Sequence, residues 1–241
     1  MSGTFFLSRR YKISNLRVMG RPQRAAAAGY VYHVLNRANA RLTIFEEQGD
    51  YEAFETVLTE AVQRTQTRLL AYCLMPNHWH LLVWPRKVGE LSHFVGWLTL
   101  THTQRLHAYR RSTGSGHVYQ GRFKSFPVEE DEHYYAVARY VERNAARANL
   151  VRRAEEWRWG SLYRWLRGAA EDKALLDAWP LPRKPSWVTH VNDPLTEAEL
   201  AAIRRCVQRG NPFGGEQWSE RTIRRLGLES TLRPRGRPTK P

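Results

Sequence analysis

The order of strand and helix patterns along the chain predicts an α+β fold. Short segments rich in aromatic and β-branched residues are followed by segments whose apolar residues recur every three or four positions. These segments occur in the order β-α-β-β-α-β. That order is typical of a ferredoxin-like antiparallel sheet with helices on one face. We expect a small helical C-terminal module after it.

The first half of the chain contains three predicted strands and two predicted helices. Residues 30–37 are rich in tyrosine and valine, which favours a first strand. A helix capped by Asp50 follows, with apolar residues at i, i+3 and i+4 spacing. Residues 69–74 and 78–84 predict two strands around a Met-Pro-Asn turn, and residues 91–109 predict a long helix.

The second half of the chain completes this unit. A short strand is predicted at residues 126–128, and a helix opened by Asp131 is predicted to reach residues 144–148. The last element of the unit is therefore a helix that follows the fourth strand. We assign residues 28–165 to one domain.

Beyond this domain the prolines within residues 166–192 predict a linker, because proline prevents regular secondary structure. Residues 193–229 predict a small helical DNA-binding module, with helices at residues 195–209 and 219–226. The basic tail, residues 230–241, is too rich in proline and arginine to pack.

The charge of the chain predicts a polyanionic partner. Its 241 residues include 38 lysines and arginines against 23 acidic residues, a net charge of +15. Residues 1–27 form a basic arm without acidic residues. Nine Trp, eleven Tyr and eight Phe favour nucleic acid, because unpaired bases stack on aromatic rings.

The remaining composition predicts a cytoplasmic, nucleoid-associated protein with no membrane partner. Two cysteines, Cys73 and Cys206, are too few for a disulfide framework and fit a reducing compartment. No run approaches the roughly 18 apolar residues of a spanning helix. The basic N-terminus lacks the apolar core of a signal peptide.

Two histidines share one face of the predicted third strand. Because side chains alternate along a strand, His78 and His80 point to the same side, and Trp79 points to the other. Two imidazoles placed in this way can bind one divalent cation. Chance alternation in a buried strand is the competing interpretation of a His-x-His pair taken alone.

The helix opened by Asp131 carries a second group of functional residues. Tyr140, Asn144 and Arg147 follow i, i+4, i+7 spacing along the border of its apolar stripe. A tyrosine there is compatible with a nucleophile, and a partly exposed structural tyrosine is the alternative. Tyr134 and Tyr135 are rival nucleophiles, but neither has a metal-binding side chain four residues later.

Three sequence motifs, taken in combination, resemble those of a known protein family. They are Met-Pro-Asn-His-Trp-His at residues 75–80, Tyr-Gln-Gly-Arg-Phe-Lys-Ser at residues 119–125 and Arg-Tyr-Val-Glu-Arg-Asn at residues 139–144. In this combination the chain resembles the REP-associated tyrosine transposases, within the single-tyrosine HUH transposase superfamily. The similarity extends over residues 21–163.

The resemblance implies a nuclease domain that cuts single-stranded DNA, beside a REP-like palindromic hairpin, through a 5′-phosphotyrosine link. It implies that Tyr140 is the nucleophile. It implies that His78, His80 and Asn144 bind a divalent metal, Mg²⁺ or Mn²⁺. The chain departs from the family at Ala145, where proline is usual, which leaves the end of the helix open. The Met-Gly-Arg-Pro stretch at residues 19–22 resembles the usual start of the family, so residues 1–18 are interpreted as a start-site artefact.

Basic residues around these motifs are predicted to contact DNA phosphates. Five belong to the nuclease domain: Arg122, Lys124, Arg139, Arg143 and Arg147. Two more, Arg235 and Arg237, lie in a tail segment that resembles an AT-hook, with a merely charged tail as the alternative.

The predicted partner is therefore single-stranded DNA with hairpin structure, bound by a monomer or dimer. The alternative function is a non-catalytic DNA- or RNA-binding protein. An RNA-binding sheet predicts a Lys/Arg-Gly-Phe/Tyr motif on a central strand, which the sequence lacks. A binding-only protein predicts loss of the tyrosine or of a ligand, and all four residues are present.

Overall fold

The computed structural model describes residues 27–233 and contains one four-stranded sheet. The strands follow one another across the sheet in the order β2-β3-β1-β4, and every neighbouring pair is antiparallel. They are β1 (Val31–Arg37), β2 (Arg68–Met75), β3 (His78–Trp84) and β4 (Lys124–Val128). The predicted α+β class and ferredoxin-like sheet are confirmed.

Helices connect and follow these strands. Helix α1 (Gln48–Thr65) links β1 to β2, α2 (Glu90–Tyr109) links β3 to β4, and α3 (Glu132–Glu142) follows β4. The shorter and later helices are α4 (Asn144–Arg147), α5 (Ser161–Arg167), α6 (Ala170–Lys173), α7 (Trp187–Asn192), α8 (Glu197–Arg209) and α9 (Glu216–Leu226). Among residues 27–233, none of the helices is long and apolar enough to cross a membrane.

The helices cover both faces of the sheet, whereas the sequence analysis placed them on one. Trp79 and Leu81 pack with α1 and α2 in one apolar core, and Leu82 packs with α3 in another. The central strands are buried on both sides, and β2 carries apolar residues on each face. A sheet without a polar face must be covered twice to remove its apolar surface from water.

The segment predicted as a linker packs against helix α3. Trp187 in α7 is fully buried, and its indole Nε1 donates a hydrogen bond of 2.7 Å to Glu142 Oε2 at the end of α3. Glu142 Oε1 accepts a second hydrogen bond, of 2.7 Å, from the Ser161 hydroxyl of α5. The buried carboxylate therefore joins three helices.

The C-terminal helices also lie against the sheet. Helix α8 begins at the capping residue Thr196, and Ile203 and Cys206 enter the same core as α3. Beyond α8, Phe213 forms an isolated parallel bridge with Val128 of β4. The division of the chain into separate domains stays a prediction. Most of the predicted basic arm, residues 1–26, and the tail residues 234–241 lie outside the described residues.

We expect Trp187→Ala to lower the free energy of unfolding by about 3–5 kcal/mol, because it removes a fully buried indole and a partner of Glu142. Urea denaturation of the full chain measures this. Trp165→Ala is the matched control: that side chain is 37% exposed, and we expect a loss of about 1 kcal/mol. Equal losses in the two variants would contradict the role given to α7.

Candidate active site

The histidine pair lies at the start of β3, on the sheet face covered by α3. The turn at residues 76–77 precedes the strand, and His78 Nδ1 lies 2.6 Å from the side-chain oxygen of Asn77. The rings of His78 and His80 are 5.0 Å apart between centroids. The predicted placement of both histidines on one face is confirmed by the register, which sets Leu35 opposite His80 and Arg37 opposite His78.

Burial keeps both imidazoles neutral. It lowers the pKa of His78 to about 3, with further lowering by the charges of Arg37 and Arg147. Burial also lowers the pKa of His80 well below its ordinary value, and the neighbouring His78, His33 and the same two arginines act in the same direction. A neutral imidazole has one nitrogen with a free lone pair, the form that binds a metal.

The helix that carries the tyrosine is interrupted next to the site. Helix α3 ends at Glu142, Arg143 has ψ near −1°, and Asn144 begins the single turn α4. The break occurs without the proline that the family usually has after the asparagine. The sequence analysis predicted a single helix to residues 144–148; the turn of α4 instead closes at Asn149, which adopts a left-handed conformation.

Tyr140 lies against the histidine-bearing face, and Asn144 begins the turn that packs against β2. Tyr140 is 6% exposed, and its ring centroid is 5.5 Å from that of His80 at 87°. Burial raises the pKa of Tyr140, and the charges of Arg147, Arg204 and Arg37 oppose this rise. The phenol is therefore protonated at neutral pH but surrounded by cations that favour its deprotonated form.

Arg147 connects the tyrosine to the asparagine. Its Nη2 donates a hydrogen bond of 2.8 Å to Asn144 Oδ1, and its guanidinium carbon lies 5.5 Å from the Tyr140 ring centroid. Asn144 is fully buried, and its side-chain Nδ2 has no hydrogen-bond partner. The Asn144 amide is thus held through its oxygen by Arg147, and this oxygen keeps a second lone pair for another partner.

These donors fit a divalent metal. Two neutral imidazoles and one amide oxygen are ligand types that Mn²⁺, Zn²⁺ and similar ions accept, and imidazoles are less usual for Mg²⁺. Asn144 would bind the ion through the second lone pair of Oδ1, since its unpartnered Nδ2 is a hydrogen-bond donor and does not bind cations. The histidine pair and Asn144 are the residues here that could hold such an ion.

A separate acidic cluster lies at the beginning of α3. Glu129, Asp131 and His133 bring one potential ligand atom each within 4.8 Å of one another. Asp131 caps α3 at the His133 amide, and Glu129 Oε2 accepts the amide hydrogen of Gly215 at 2.7 Å. His133 precedes Tyr140 by seven residues, about 10 Å along a helix. The cluster therefore caps α3 and joins it to the segment before α9, at a distance from the histidine pair.

A basic cleft of about 440 Å³ opens over the site. Arg122, Lys124 and Arg147, three of the predicted phosphate-binding residues, line it together with His78, His80 and Tyr140. The sequence analysis missed Arg37, Arg41 and Arg204, which also line the cleft. A second hollow of about 460 Å³ adjoins it and shares Gln120, Arg122 and Lys124 with it.

One sequence signal could have revealed part of what was missed. Alternation along β1 sets His33 and Arg37 on one face, and the register places that face beside the histidine pair. For Arg204 the sequence has no such signal, because its place depends on how α8 docks onto the sheet.

The other predicted residues lie elsewhere. Arg139 bonds Glu199 at 2.8 Å and is 7% exposed, and Arg143 donates to the Asn192 carbonyl oxygen. Among the rival tyrosines, Tyr134 is fully buried and Tyr135 donates to the Pro182 carbonyl oxygen. Neither arginine and neither tyrosine is among the residues that line the described cleft. Arg235 and Arg237 lie outside the described residues.

The chain thus has an antiparallel sheet with a histidine pair on a central strand, covered by α3 with Tyr140 and α4 with Asn144. Residues 26–144 match the model of the family described as "Transposase IS200 like". Over this region, just under half of the chain, the sequence is similar to the IS200-like transposases, and this similarity supports a DNA-processing enzyme. The resemblance identified from the sequence is confirmed.

One of two similar solved structures supports the fold. A REP-associated tyrosine transposase bound to a REP hairpin matches with a TM-score of 0.51 and 14% identity, covering 62% of this chain and 87% of that chain. A putative transposase from Deinococcus radiodurans R1 matches with a TM-score of 0.38 and 18% identity, over 52% of this chain and 97% of that chain. No curated protein matches significantly.

We expect Arg147→Leu to raise the pKa of Tyr140 further, because it removes the charge that contributes most to stabilising the phenolate. NMR titration of ¹³Cζ-labelled tyrosine measures this, with Tyr140→Phe assigning the signal. Arg143→Leu, on the same helical segment but directed at Asn192, is the control and should leave the titration unchanged. A lower pKa in Arg147→Leu would contradict the assigned contact.

Proposed function

We propose that the protein is a metal-dependent endonuclease and strand transferase for single-stranded DNA, acting beside REP-like palindromic hairpins through a 5′-phosphotyrosine intermediate. One observation carries this proposal: Tyr140 lies against His80 in a basic cleft, with Asn144 one turn further on. The solved relative bound to a REP hairpin supports hairpin DNA as the substrate class.

In the proposed reaction the Tyr140 hydroxyl oxygen attacks the scissile phosphorus. A bond forms between the phenolic oxygen and phosphorus, and the bond between phosphorus and the 3′ oxygen breaks. The phenol gives up its proton to solvent, and the 3′ oxygen leaves as a hydroxyl after taking a proton. Because the phosphodiester bond is replaced by a phosphotyrosine ester, a second 3′ hydroxyl can reverse the step and join strands.

The cleft residues would hold the phosphate in line with the phenol. Arg147 and Arg204 both act electrostatically on Tyr140, so a phosphate drawn to either arginine approaches the hydroxyl. His78, His80 and Asn144 would hold the divalent metal, which supplies Lewis-acid polarisation of the phosphate oxygens when bound. Their neutral state avoids repulsion of such an ion.

The burial of the site favours single-stranded DNA over duplex DNA as its substrate. Tyr140 is 6% exposed and His80 is 2% exposed, so a phosphate must approach them closely. A flexible single strand can bend into such a cleft, and a stiff duplex cannot do so without deformation. The hairpin would therefore lie outside the cleft, with only the single strand entering it.

We expect Tyr140→Phe to lower cleavage of a single-stranded hairpin substrate by at least about 10³-fold and to retain binding, because only the nucleophilic oxygen is removed. Loss of the covalent protein–DNA adduct on a denaturing gel checks the same point. Tyr134→Phe and Tyr135→Phe are the matched controls from the same helix. An adduct that persists in Tyr140→Phe would overturn the assignment; hairpin binding without any cleavage by the native protein would favour the non-catalytic alternative.

We expect EDTA to abolish cleavage, because it removes the metal. His78→Ala and His80→Ala should each do the same, because too few ligands remain for the metal. DNA binding should change little in all three cases. Asn144→Ala should have a smaller effect, since water can replace an amide oxygen. His93→Ala, an exposed histidine of α2, is the control and should be fully active. Unchanged cleavage in excess EDTA would refute the metal role.

A further inference from the structure

A third histidine, His33 of β1, lies directly behind the histidine pair. Its Nε2 is 2.9 Å from His80 Nδ1, within hydrogen-bond distance. His33 is 1% exposed and His80 is 2% exposed, so water does not compete for this contact. A bond between two buried imidazoles needs one donor and one acceptor, which means that each ring fixes the tautomer of the other.

We propose that His33 is a positioning residue that accepts a hydrogen bond from His80 Nδ1 and thereby directs the free lone pair of His80 Nε2 toward the cleft. This inference rests on the proposed metal site. Histidines that bind metals commonly donate their second ring N–H to a carboxylate or carbonyl oxygen. Here a neutral imidazole takes the place of that oxygen.

The charges around the site favour this direction of the hydrogen bond. Arg147 and Arg37, on the cleft side, both act electrostatically on His80. The lone pair of a neutral imidazole is the negative end of its dipole, and the N–H is the positive end. A lone pair at Nε2 therefore faces positive charge favourably, whereas an N–H there would be repelled.

The ring of His33 is itself held in place on several sides. Phe126 of β4 packs against it with centroids 4.9 Å apart, and the Tyr140 ring lies 6.0 Å away, close to perpendicular. The strand register sets Phe126 directly opposite His33. A well-held acceptor at this position fixes both the tautomer and the ring orientation of His80.

Two substitutions of His33 distinguish the effect of its hydrogen-bond acceptor from the effect of its ring volume. His33→Phe keeps an aromatic ring beside Phe126 but removes the acceptor, and His33→Gln keeps an acceptor oxygen that can reach the position of Nε2. His102→Phe is the matched control: His102 is also 2% exposed and bonded, to Tyr119, but it lies in the core on the opposite face of the sheet.

Titration of the full chain with Mn²⁺ alone, followed by the electron paramagnetic resonance signal of the free ion, is the first test. We expect His33→Phe to weaken binding by about 10–100-fold, and His33→Gln to restore most of the affinity. His102→Phe should bind as the native protein does. Native affinity in His33→Phe, or equal weakening in His33→Gln, would overturn the positioning role.

The ¹⁵N NMR spectrum of the metal-free protein is the second test. We expect His80 to carry its proton on Nδ1 in the native protein and in His33→Gln, and the Nε2–H form to appear in His33→Phe. Protonation of Nε2 in the native protein would overturn the inference. If His78→Ala binds Mn²⁺ as tightly as the native protein, the proposed metal site fails, and the spectrum still decides whether His33 sets the tautomer.

Discussion

The packing of α3 and α4 against one face of the sheet is the constraint on which the rest of the site depends. This contact removes His80 and Tyr140 from water, and burial is the largest cause of the shifted pKa of each. The same desolvation favours neutral imidazoles, the form required at the proposed metal site, and disfavours the phenolate of the proposed nucleophile. The cations at the site oppose the effect of burial on the pKa of Tyr140, and Arg147 makes the largest of these opposing contributions.

The break between α3 and α4 lies within this packed segment. In a continuous helix, Tyr140 and Asn144 would point in the same direction, because residues four apart lie on one face. The interruption at Arg143 lets Asn144 begin its own turn while Tyr140 stays against His80. Glu142, just before the break, anchors the segment through the buried bonds to Ser161 and Trp187. The later helices thereby support the placement of the tyrosine.

The C-terminal helices add to the cleft as well as to the core. Helix α8 buries Leu200, Ile203 and Cys206 against α3 and β4, and this docking carries Arg204 to the cleft. The family match ends at residue 144, so this arginine comes from a part of the chain that the match does not include. The basic surface over the histidine pair is therefore built from both parts of the sequence.

The sequence by itself determined the order of strands and helices along the chain, the shared face of His78 and His80, and the spacing of Tyr140 and Asn144, because these follow from the periods of strands and helices. Only the tertiary structure decided which faces meet. It placed His33 behind His80, turned Arg139 and Arg143 toward the later helices and brought Arg204 to the cleft. Local periodicity fixes the direction of a side chain relative to its own element, whereas its neighbours depend on how elements far apart in the chain pack together.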